Sequence, residues 1–395
     1  MHSAAKHGAE EDKKPLSGSV YILTLTLFCT NIIYGLASPF LPAELEAKGI
    51  SSGKTGLIFA IYAIASVLSA LVAGMYVDRI GHRWIIMCGV LLMACAISGF
   101  GLIEDMTDPN YVLALALILR YLQGTASGMT NTSVFSYAAQ AYPDRVEQVI
   151  SLVEGAVGIG CTFGPILGAF IYDAVGFSTT FYIIGASIAP FGLLICSCLP
   201  KPTQDGQEEE EEEVVEKPDL LRVDSTIEVE ATQVGEITYG RLFCNMRVLF
   251  ATLTATMCAI FFGAPEPILS LRLADYDLGS TYVGLIFGIE AAFYVISTFA
   301  VPYIIPVWLE TRVILITSTI VTACATSLVG PFYTEKSLVV MCIGLGISGF
   351  MLSFMFIPNM TEMMAAVQEA YPSFAGTSKT NSMLSGLLNS SYALG

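Results

Sequence analysis

Charged side chains are scarce in this sequence of 395 residues. Only 13% of the residues are charged and 54% are hydrophobic, whereas an ordinary soluble domain has roughly a quarter of its residues charged. The charge-poor stretches recur at lengths of roughly 20 residues, which is the length that a helix needs to cross a bilayer. These features exclude a soluble globular fold, and the lack of strict alternation along the stretches excludes a transmembrane β-barrel.

The sequence therefore predicts an all-α polytopic membrane protein. The first 18 residues are polar and no small-residue cleavage site follows the first apolar run, so we expect that run to act as the insertion signal. Eleven membrane-spanning helices are predicted, over residues 19–41, 55–77, 84–103, 111–139, 149–172, 178–199, 248–271, 281–304, 312–330, 337–360 and 377–395.

Patterns typical of disulfide frameworks, metal centres and catalytic sites are also lacking. Nine of the ten cysteines lie in or at the ends of predicted spans, which favours a packing role over disulfides or metal binding. No nucleophile–base spacing is recognisable. We therefore expect no enzymatic activity, no cofactor, no metal and no nucleic-acid partner.

Basic residues are unevenly divided between the loops. The N-terminus and the even-numbered loops hold 13 lysines and arginines, and the odd-numbered loops hold 4. Because the excess of positive charge stays in the cytosol, we expect a cytosolic N-terminal tail over residues 1–18. The loop over residues 200–247 contains an acidic run from Glu208 to Glu213 and is predicted to be a disordered cytosolic linker.

The two halves of the chain resemble each other. A shift of 228 residues places Gly35 on Gly263 and the segment 56–59 on the identical segment 284–287. Parallel repeats of six helices are typical of one large transporter architecture, with the binding site between the halves. The repeat predicts six-helix bundles over residues 19–199 and 248–395.

A second match, at a shift of 231 residues, concerns the end of the chain. It places Gly155 and Gly164 on Gly386 and Gly395. Gly164 is followed by the rest of its helix and by a sixth span, and Gly395 is the last residue. We therefore expect the second bundle to be truncated in helix 11, with about 11 of 12 helices present.

The loop between the second and third spans carries a charged motif. Glycines and charges occur at Gly74, Asp78, Arg79, Gly81 and Arg83, which resembles the signature loop of the major facilitator superfamily. Asp78 at a helix end can pair with arginine and with a neighbouring helix N-terminus, and so latch one conformation. The alternative is a simple positive-inside turn. The equivalent segment 302–312 lacks the motif, so any latch is asymmetric.

Two further motifs lie within spans. Arg120, Gln123 and Gly124 in span 4 resemble the second motif of the superfamily, and the buried arginine serves either proton coupling or bracing of the bundle. In span 5 the glycines and one proline resemble its antiporter motif; small residues allow close helix packing and proline kinks a helix. The alternative is a packing seam with no bearing on exchange. The residues of this motif are Gly155, Gly160, Gly164, Pro165 and Gly168.

Four carboxylates lie at or near membrane depth: Glu154, Glu266, Glu290 and Glu362. Isolated carboxylates in a membrane are functional candidates by default, because they can load and release a proton or bind a cationic substrate. The alternative for each is a structural pair with Arg120 or with a tyrosine. Aromatic candidates for binding an organic cation are Tyr34, Tyr62, Tyr137 and Tyr294.

With these residues considered together, the chain resembles the vesicular amine transporter family and, within it, most closely the polyamine branch. The resemblance implies the major facilitator superfamily fold and exchange of lumenal protons for cytosolic organic cations across a vesicular membrane. It also implies a site residue at Asn31, although Thr30 stands where the monoamine and acetylcholine members carry an aspartate. The segments that carry the resemblance are 38–42, 48–51, 56–59, 153–155, 266–267, 282–285 and 357–362.

We therefore expect a monomeric, proton-coupled antiporter of organic cations that works by alternating access in the lipid bilayer. Its partners are a small-molecule substrate and protons. Two alternatives remain open: a carrier of another small solute or drug, and a non-transporting membrane scaffold or sensor that binds partners through the acidic loop. A scaffold would need neither Glu154 nor Glu266.

Overall fold

The computed structural model describes residues 18–37, 40–200, 237–263, 280–308, 310–329 and 337–395. Within these ranges the chain is helical and contains no strand, which confirms the predicted all-α class. Three short 3-10 turns lie at 101–103, 143–145 and 372–374. The α-helices, in chain order, are α1 Gly18–Leu36, α2 Leu41–Ala47, α3 Ser52–Ile80, α4 His82–Phe100, α5 Pro109–Ala141, α6 Val146–Val175, α7 Phe177–Cys198, α8 Tyr239–Cys244, α9 Met246–Gly263, α10 Ser280–Trp308, α11 Thr311–Val329, α12 Leu338–Phe356, α13 Pro358–Ala370 and α14 Ser378–Leu394.

Nine helical stretches among the described residues are long and apolar enough to cross a membrane. Two of the eleven predicted spans are not among them. In α10 only the shorter stretch Gly288–Ile304 is counted. Helix α14 is rich in serine and asparagine, and it is enclosed by α3, α5, α9 and α13 rather than exposed to lipid.

Glycines allow two pairs of helices to follow each other almost without a loop. Gly81 separates α3 from α4 with φ of 99°, and Gly176 separates α6 from α7 with φ of 82°. These left-handed conformations are accessible to glycine without steric strain. At the start of α5, Asp108 accepts a hydrogen bond of 2.8 Å from the backbone nitrogen of Asn110, with Pro109 as the first helical residue.

The predicted parallel repeat is confirmed by helix packing. In the first half α1 packs on α6, α3 on α5 and α4 on α5. The equivalent pairs of the second half are α9 with α14, α10 with α12 and α11 with α12. The halves meet where α3 packs on α14 and α6 packs on α10.

One helix contact occurs in both halves and shows which of their residues are equivalent. A β-carbon at Gly124 would lie 2.1 Å from the carbonyl oxygen of Tyr62, and one at Gly349 would lie 2.1 Å from that of Glu290. The two carbonyl residues are 228 positions apart in the sequence. The structure therefore places Glu290 where the repeat predicts it, at the position equivalent to Tyr62.

The segment predicted as a disordered linker differs from the expectation at its C-terminal end. Residues 239–244 form α8, in which Leu242 is fully buried, and the Tyr239 hydroxyl donates to the carbonyl oxygen of Leu71 at 2.8 Å. The physical reason is local composition, because the acidic residues end at Glu236 and apolar residues follow. Residues 201–236 lie outside the described ranges, so their disorder stays a prediction.

The start of α7 is held by a carboxylate from the preceding loop. Glu104 accepts a hydrogen bond of 2.9 Å from the backbone nitrogen of Ser178. The hydrogen bonds from Ser178 hold the pKa of Glu104 below its ordinary value. The ionised form therefore stabilises the fold above the pKa of the unfolded chain, and this contribution is lost as the pH falls through the folded-state pKa.

We predict that Glu104→Gln lowers the melting temperature at neutral pH by about 1–2 °C, because an exposed cap of this kind contributes modestly. The difference should shrink at about pH 3, because the stabilisation is lost as the pH falls through the lowered folded-state pKa of Glu104. Thermal unfolding of the purified protein at both pH values measures it. Asp105→Asn removes the same charge one residue away and serves as the control; an equal effect of both variants would contradict the capping role.

Candidate functional site

A carboxylate of the first half binds a tyrosine of the second half. Glu154 on α6 accepts a hydrogen bond of 2.8 Å from the hydroxyl of Tyr294 on α10. Each residue is only 7% exposed. A buried carboxylate without a partner would be costly in this setting, so the tyrosine satisfies one of its oxygens.

The close approach of α10 to α6 depends on glycines next to Glu154. A β-carbon at Gly155 would lie 2.6 Å from the ring of Phe299, and one at Gly158 would lie 2.9 Å from the side chain of Val295. Larger residues at either position would push α10 away. The local sequence therefore brings Tyr294 within hydrogen-bond distance of Glu154.

Glu290, also on α10, lies in the same region. It is 7% exposed, and it accepts a hydrogen bond of 2.8 Å from the hydroxyl of Ser348 on α12. The buried thiol of Cys258 on α9 is within electrostatic range of both Glu154 and Glu290. The structure thus brings two of the four predicted acids to one region, around Cys258 and Tyr294.

Arg120 lies within the first half and is braced by aromatic rings. It is 2% exposed, and its guanidinium lies 4.8 Å from the ring centroid of Phe59 and 5.6 Å from that of Phe100. It donates to the side-chain oxygen of Gln123 at 3.2 Å. Among the described contacts Arg120 pairs with neither Glu154 nor Glu290, so the partner of Glu154 is a tyrosine.

Tyr34 and Tyr62 lie next to Arg120. Their ring centroids are 5.1 Å apart, and both tyrosines are within electrostatic range of the guanidinium. Tyr34 is 49% exposed. One turn earlier on α1, the amide of Asn31 donates to the carbonyl oxygen of Leu27 at 2.8 Å and accepts a weak contact of 3.7 Å from the thiol of Cys161. The predicted residues of spans 1, 2 and 4 therefore form one cluster.

The predicted antiporter motif packs α6 against α1. β-Carbons at Gly160, Gly164 and Gly168 would lie 2.7, 2.5 and 2.2 Å from carbonyl oxygens of α1. Pro165 packs against Gly35, where a β-carbon would lie 3.0 Å from the proline ring. Three glycines at a spacing of four residues thus place two helix backbones in contact.

Glu362 is separate from this site. It forms ion pairs with Arg247 at 2.8 Å and with Arg312 at 3.2 Å, and both arginines also pair with Glu369. This network ties together the starts of α9 and α11 and the helix α13, which favours a structural role. Glu266 lies outside the described residues.

The charged motif of the second and third spans contacts the N-terminal end of α14. One carboxylate oxygen of Asp78 accepts hydrogen bonds from Gln140 at 3.0 Å, from Ser382 at 2.8 Å and from Ser378. Gly74 allows the crossing, because a β-carbon there would lie 2.8 Å from the carbonyl oxygen of Ser382. The carboxylate thus binds side chains at the N-terminal end of an adjacent helix.

The other motif residues lie around this contact. Arg79 is exposed, and the guanidinium of Arg83 lies 5.3 Å from the ring centroid of Trp84. Gly81 makes the turn described above. Sequence reasoning missed the hydrogen-bond donors on α5 and α14, since neither helix carries a motif there. The visible signal was the polar composition of residues 378–391 within a predicted span.

Known proteins of similar sequence identify the family of this chain. The family model of the Major Facilitator Superfamily matches residues 23–395. The chain belongs to the major facilitator superfamily. It is therefore a multi-pass integral membrane protein of a superfamily of transporters, and the predicted fold is confirmed.

Individual relatives are distant. The MFS-type transporter SLC18B1 of Homo sapiens is 25% identical over 372 residues, which cover 92% of this chain and 74% of that protein. The multi-drug resistance efflux pump PmrA homolog of Lactococcus lactis is 28% identical over 45% of this chain and 43% of its own length. The crystal structure of the human organic anion transporter MFSD10 superposes with a TM-score of 0.66 at 17% identity, covering 95% of this chain and 91% of that one. This last likeness supports the fold alone.

We predict that Gly164→Ala destabilises the protein by about 1–3 kcal/mol, because the added β-carbon would force α6 away from α1. Thermal unfolding of the purified protein measures the effect. Gly56→Ala is the control, since a β-carbon there meets no atom within 4 Å; alanine in that helix should be neutral or stabilising by about 0.5–1 kcal/mol. Equal stability of both variants would contradict the packing role of the motif.

Proposed function

We propose that this superfamily member exchanges protons for organic cations, polyamines or similar amines, by alternating access. The observation that carries the proposal is the bond between Glu154 and Tyr294, because it places a carboxylate at membrane depth where the two halves meet. Alternating access moves one half against the other around a site near the midplane. A titratable group at that contact can link the binding of a proton or a cation to the movement.

The chemistry of exchange follows from competition for one carboxylate. An ionised Glu154 can bind an ammonium group, with aromatic rings completing a cation site. A protonated Glu154 cannot hold a cation in this way, so uptake of a proton releases the substrate. Proton and cation then occupy the site in turn, which is the requirement for antiport.

Tyr294 has a positioning role in this proposal. Its hydroxyl donates to the ionised carboxylate and holds the halves together in the absence of substrate. An arriving ammonium group replaces that donor and frees α10 to move. Glu290 and the cluster of Arg120, Asn31 and Tyr34 supply further polar groups. Glu266, at the repeat position equivalent to Ser38, is proposed as a second proton-coupling acid from its sequence alone.

The resemblance to the vesicular amine transporters supports a vesicular membrane as the location, with a plasma membrane as the alternative. We further propose that the N-terminal tail, residues 1–18, and the acidic segment face the cytosol, and that the bundles 19–199 and 248–395 act as the two moving units of a monomer. An epitope tag at the N-terminus should be accessible to antibody on sealed vesicles whose cytosolic face is outward, without permeabilisation. A tag that is labelled only after the vesicle membrane is permeabilised would contradict this orientation.

A second candidate function is the transport of another small solute or drug. It is favoured by the similarity of 45% of this chain to the multi-drug resistance efflux pump PmrA homolog. The rings of Phe262 and Tyr294, whose centroids are 6.1 Å apart, would also suit a hydrophobic compound. The two candidates differ in whether transport requires a carboxylate.

We predict that the protein in proteoliposomes takes up polyamines when the interior is acidic. Glu154→Gln should reduce proton-driven uptake at least tenfold, because the variant has no titratable group for exchange, and Glu266→Gln should reduce it as well. Tyr294→Phe should retain uptake and change its substrate affinity. Radiolabelled polyamines and monoamines are compared with and without the gradient.

Asp173→Asn is the control, since it neutralises an exposed carboxylate on the same helix as Glu154. Uptake that ignores the gradient, or no uptake of any cation, would refute the leading proposal. Full proton-driven uptake by both Glu154→Gln and Glu266→Gln would refute the site. Uptake of neutral drugs that survives Glu154→Gln would favour the second candidate.

A further inference from the structure

His82 lies on the buried side of the contact between Asp78 and α14. It is the first residue of α4 and is 4% exposed. Its Nε2 atom lies 2.9 Å from the hydroxyl of Ser136 on α5, and that hydroxyl lies 2.7 Å from the hydroxyl of Ser382 on α14. Ser382 in turn bonds Asp78 at 2.8 Å. A chain of hydrogen bonds therefore links the histidine to the carboxylate through both halves of the molecule.

The direction of every bond in this chain is determined. An ionised carboxylate can only accept, so Ser382 donates its one proton to Asp78. Ser382 must then accept from Ser136, and Ser136 must accept from His82. The Nε2 atom of His82 therefore carries a hydrogen.

Gln140 completes the network without altering that direction. Its amide nitrogen lies 3.0 Å from Asp78, 3.0 Å from Ser136 and 3.1 Å from Ser382, and it shares its two hydrogens among these acceptors. Because this nitrogen only donates, the single hydroxyl hydrogen of Ser136 stays directed at Ser382 and does not point at His82.

A positive charge on His82 is unfavourable while the contact is closed. The ring is buried, so an imidazolium would lose its hydration, and it stands at the N-terminus of α4, where the helix dipole repels a cation. Asp78 is within electrostatic range of the ring and its charge favours an imidazolium, but this attraction is smaller than the loss of hydration caused by burial. Opening the contact would expose the imidazole to water and remove the penalty.

The other groups around His82 do not compensate. From α5, the ring of Tyr137 meets that of His82 edge-on at 5.9 Å, and this buried tyrosine supplies no carboxylate. From α3, Arg79 is exposed. On α4 itself, Arg83 packs over Trp84. From α14, Lys379 follows Ser378 and adds a positive charge to this end of the helix, which further disfavours an imidazolium.

We propose that His82 is the positioning residue that makes this contact sensitive to pH. With His82 neutral, its Nε2 hydrogen completes the chain to Asp78 and the two halves stay joined at this end. When His82 takes up a proton, the charged ring is stable only in the open, hydrated arrangement, so acid on this side releases α14 from α3 and α5. The inference needs no substrate and does not rest on the proposed exchange.

Hydrogen exchange of the backbone amides in residues 378–386 tests the proposal. The full-length chain in lipid nanodiscs is compared with its variants at each pH, so that intrinsic exchange chemistry cancels. The two pH values, about 8 and about 5, lie on either side of the ordinary pKa of a hydrated imidazole. At about pH 5 the wild type should be about tenfold less protected than His82→Gln, and at about pH 8 the two should be equal. This is the size expected when one group has a different pKa in the closed and the open state.

The variants separate titration from packing. His82→Gln keeps an amide donor for Ser136 and cannot titrate, so its protection should not depend on pH. Ser136→Ala breaks the chain and should lose protection at every pH. Ser133→Ala is the matched control, because Ser133 is also fully buried on α5 and takes no part in the chain.

Three outcomes would overturn the proposal. One is a His82→Gln variant that keeps the acid sensitivity of the wild type. Another is a Ser136→Ala variant with wild-type protection, and the third is a Ser133→Ala variant that loses as much protection as Ser136→Ala. Ser136→Ala changes a single oxygen, so it keeps the test decisive even if the histidine variant fails to fold.

Discussion

Close approach of α6 to its neighbours is the constraint on which the rest of the structure depends. In a bilayer no hydrophobic force drives helices together, because lipid tails are as apolar as side chains. Helix α6 meets α1 through Gly160, Gly164 and Gly168, and it meets α10 through Gly155 and Gly158. The first contact builds one bundle, and the second joins the two bundles.

The bond between Glu154 and Tyr294 follows from that packing. A carboxylate in a low-dielectric region needs a donor within hydrogen-bond distance, and the tyrosine reaches it only because the glycines beside Glu154 leave room for α10. The same arrangement allows the two bundles to move against each other, because the single hydrogen bond between Glu154 and Tyr294 can be replaced by a bond to another donor. The contact at Asp78 has the same two components, a glycine at the helix crossing and a carboxylate as hydrogen-bond acceptor.

Local and periodic features were predictable from the sequence. Apolar runs gave the helices, and the 228-residue repeat placed Glu290 opposite Tyr62, where the paired contacts of Gly124 and Gly349 also place it. The contact partners were not predictable. Tyr294 lies 140 residues from Glu154 and Ser382 lies 304 residues from Asp78, and no local pattern encodes such distances.

The remaining differences have the same physical origin. Helix α8 forms within a segment predicted to be disordered because Leu242 finds a buried site, which a count of acidic residues does not reveal. Glu362 resembles the other acids in sequence, but it lies between Arg247 and Arg312 from other helices. Tertiary context distinguishes a structural carboxylate from one at the meeting of the halves.

The polar character of α14 has a consequence for biosynthesis. Its buried residues include Asn381, Ser382, Ser385 and Ser390, and such side chains make transfer of an isolated helix into lipid unfavourable. The surrounding helices α3, α5 and α9 precede it in the chain and supply a protein surface in place of lipid. We expect α14 to enter the membrane only after they are in place; in a translocon insertion assay, α14 alone should remain outside the bilayer, and efficient insertion by itself would contradict this order of assembly.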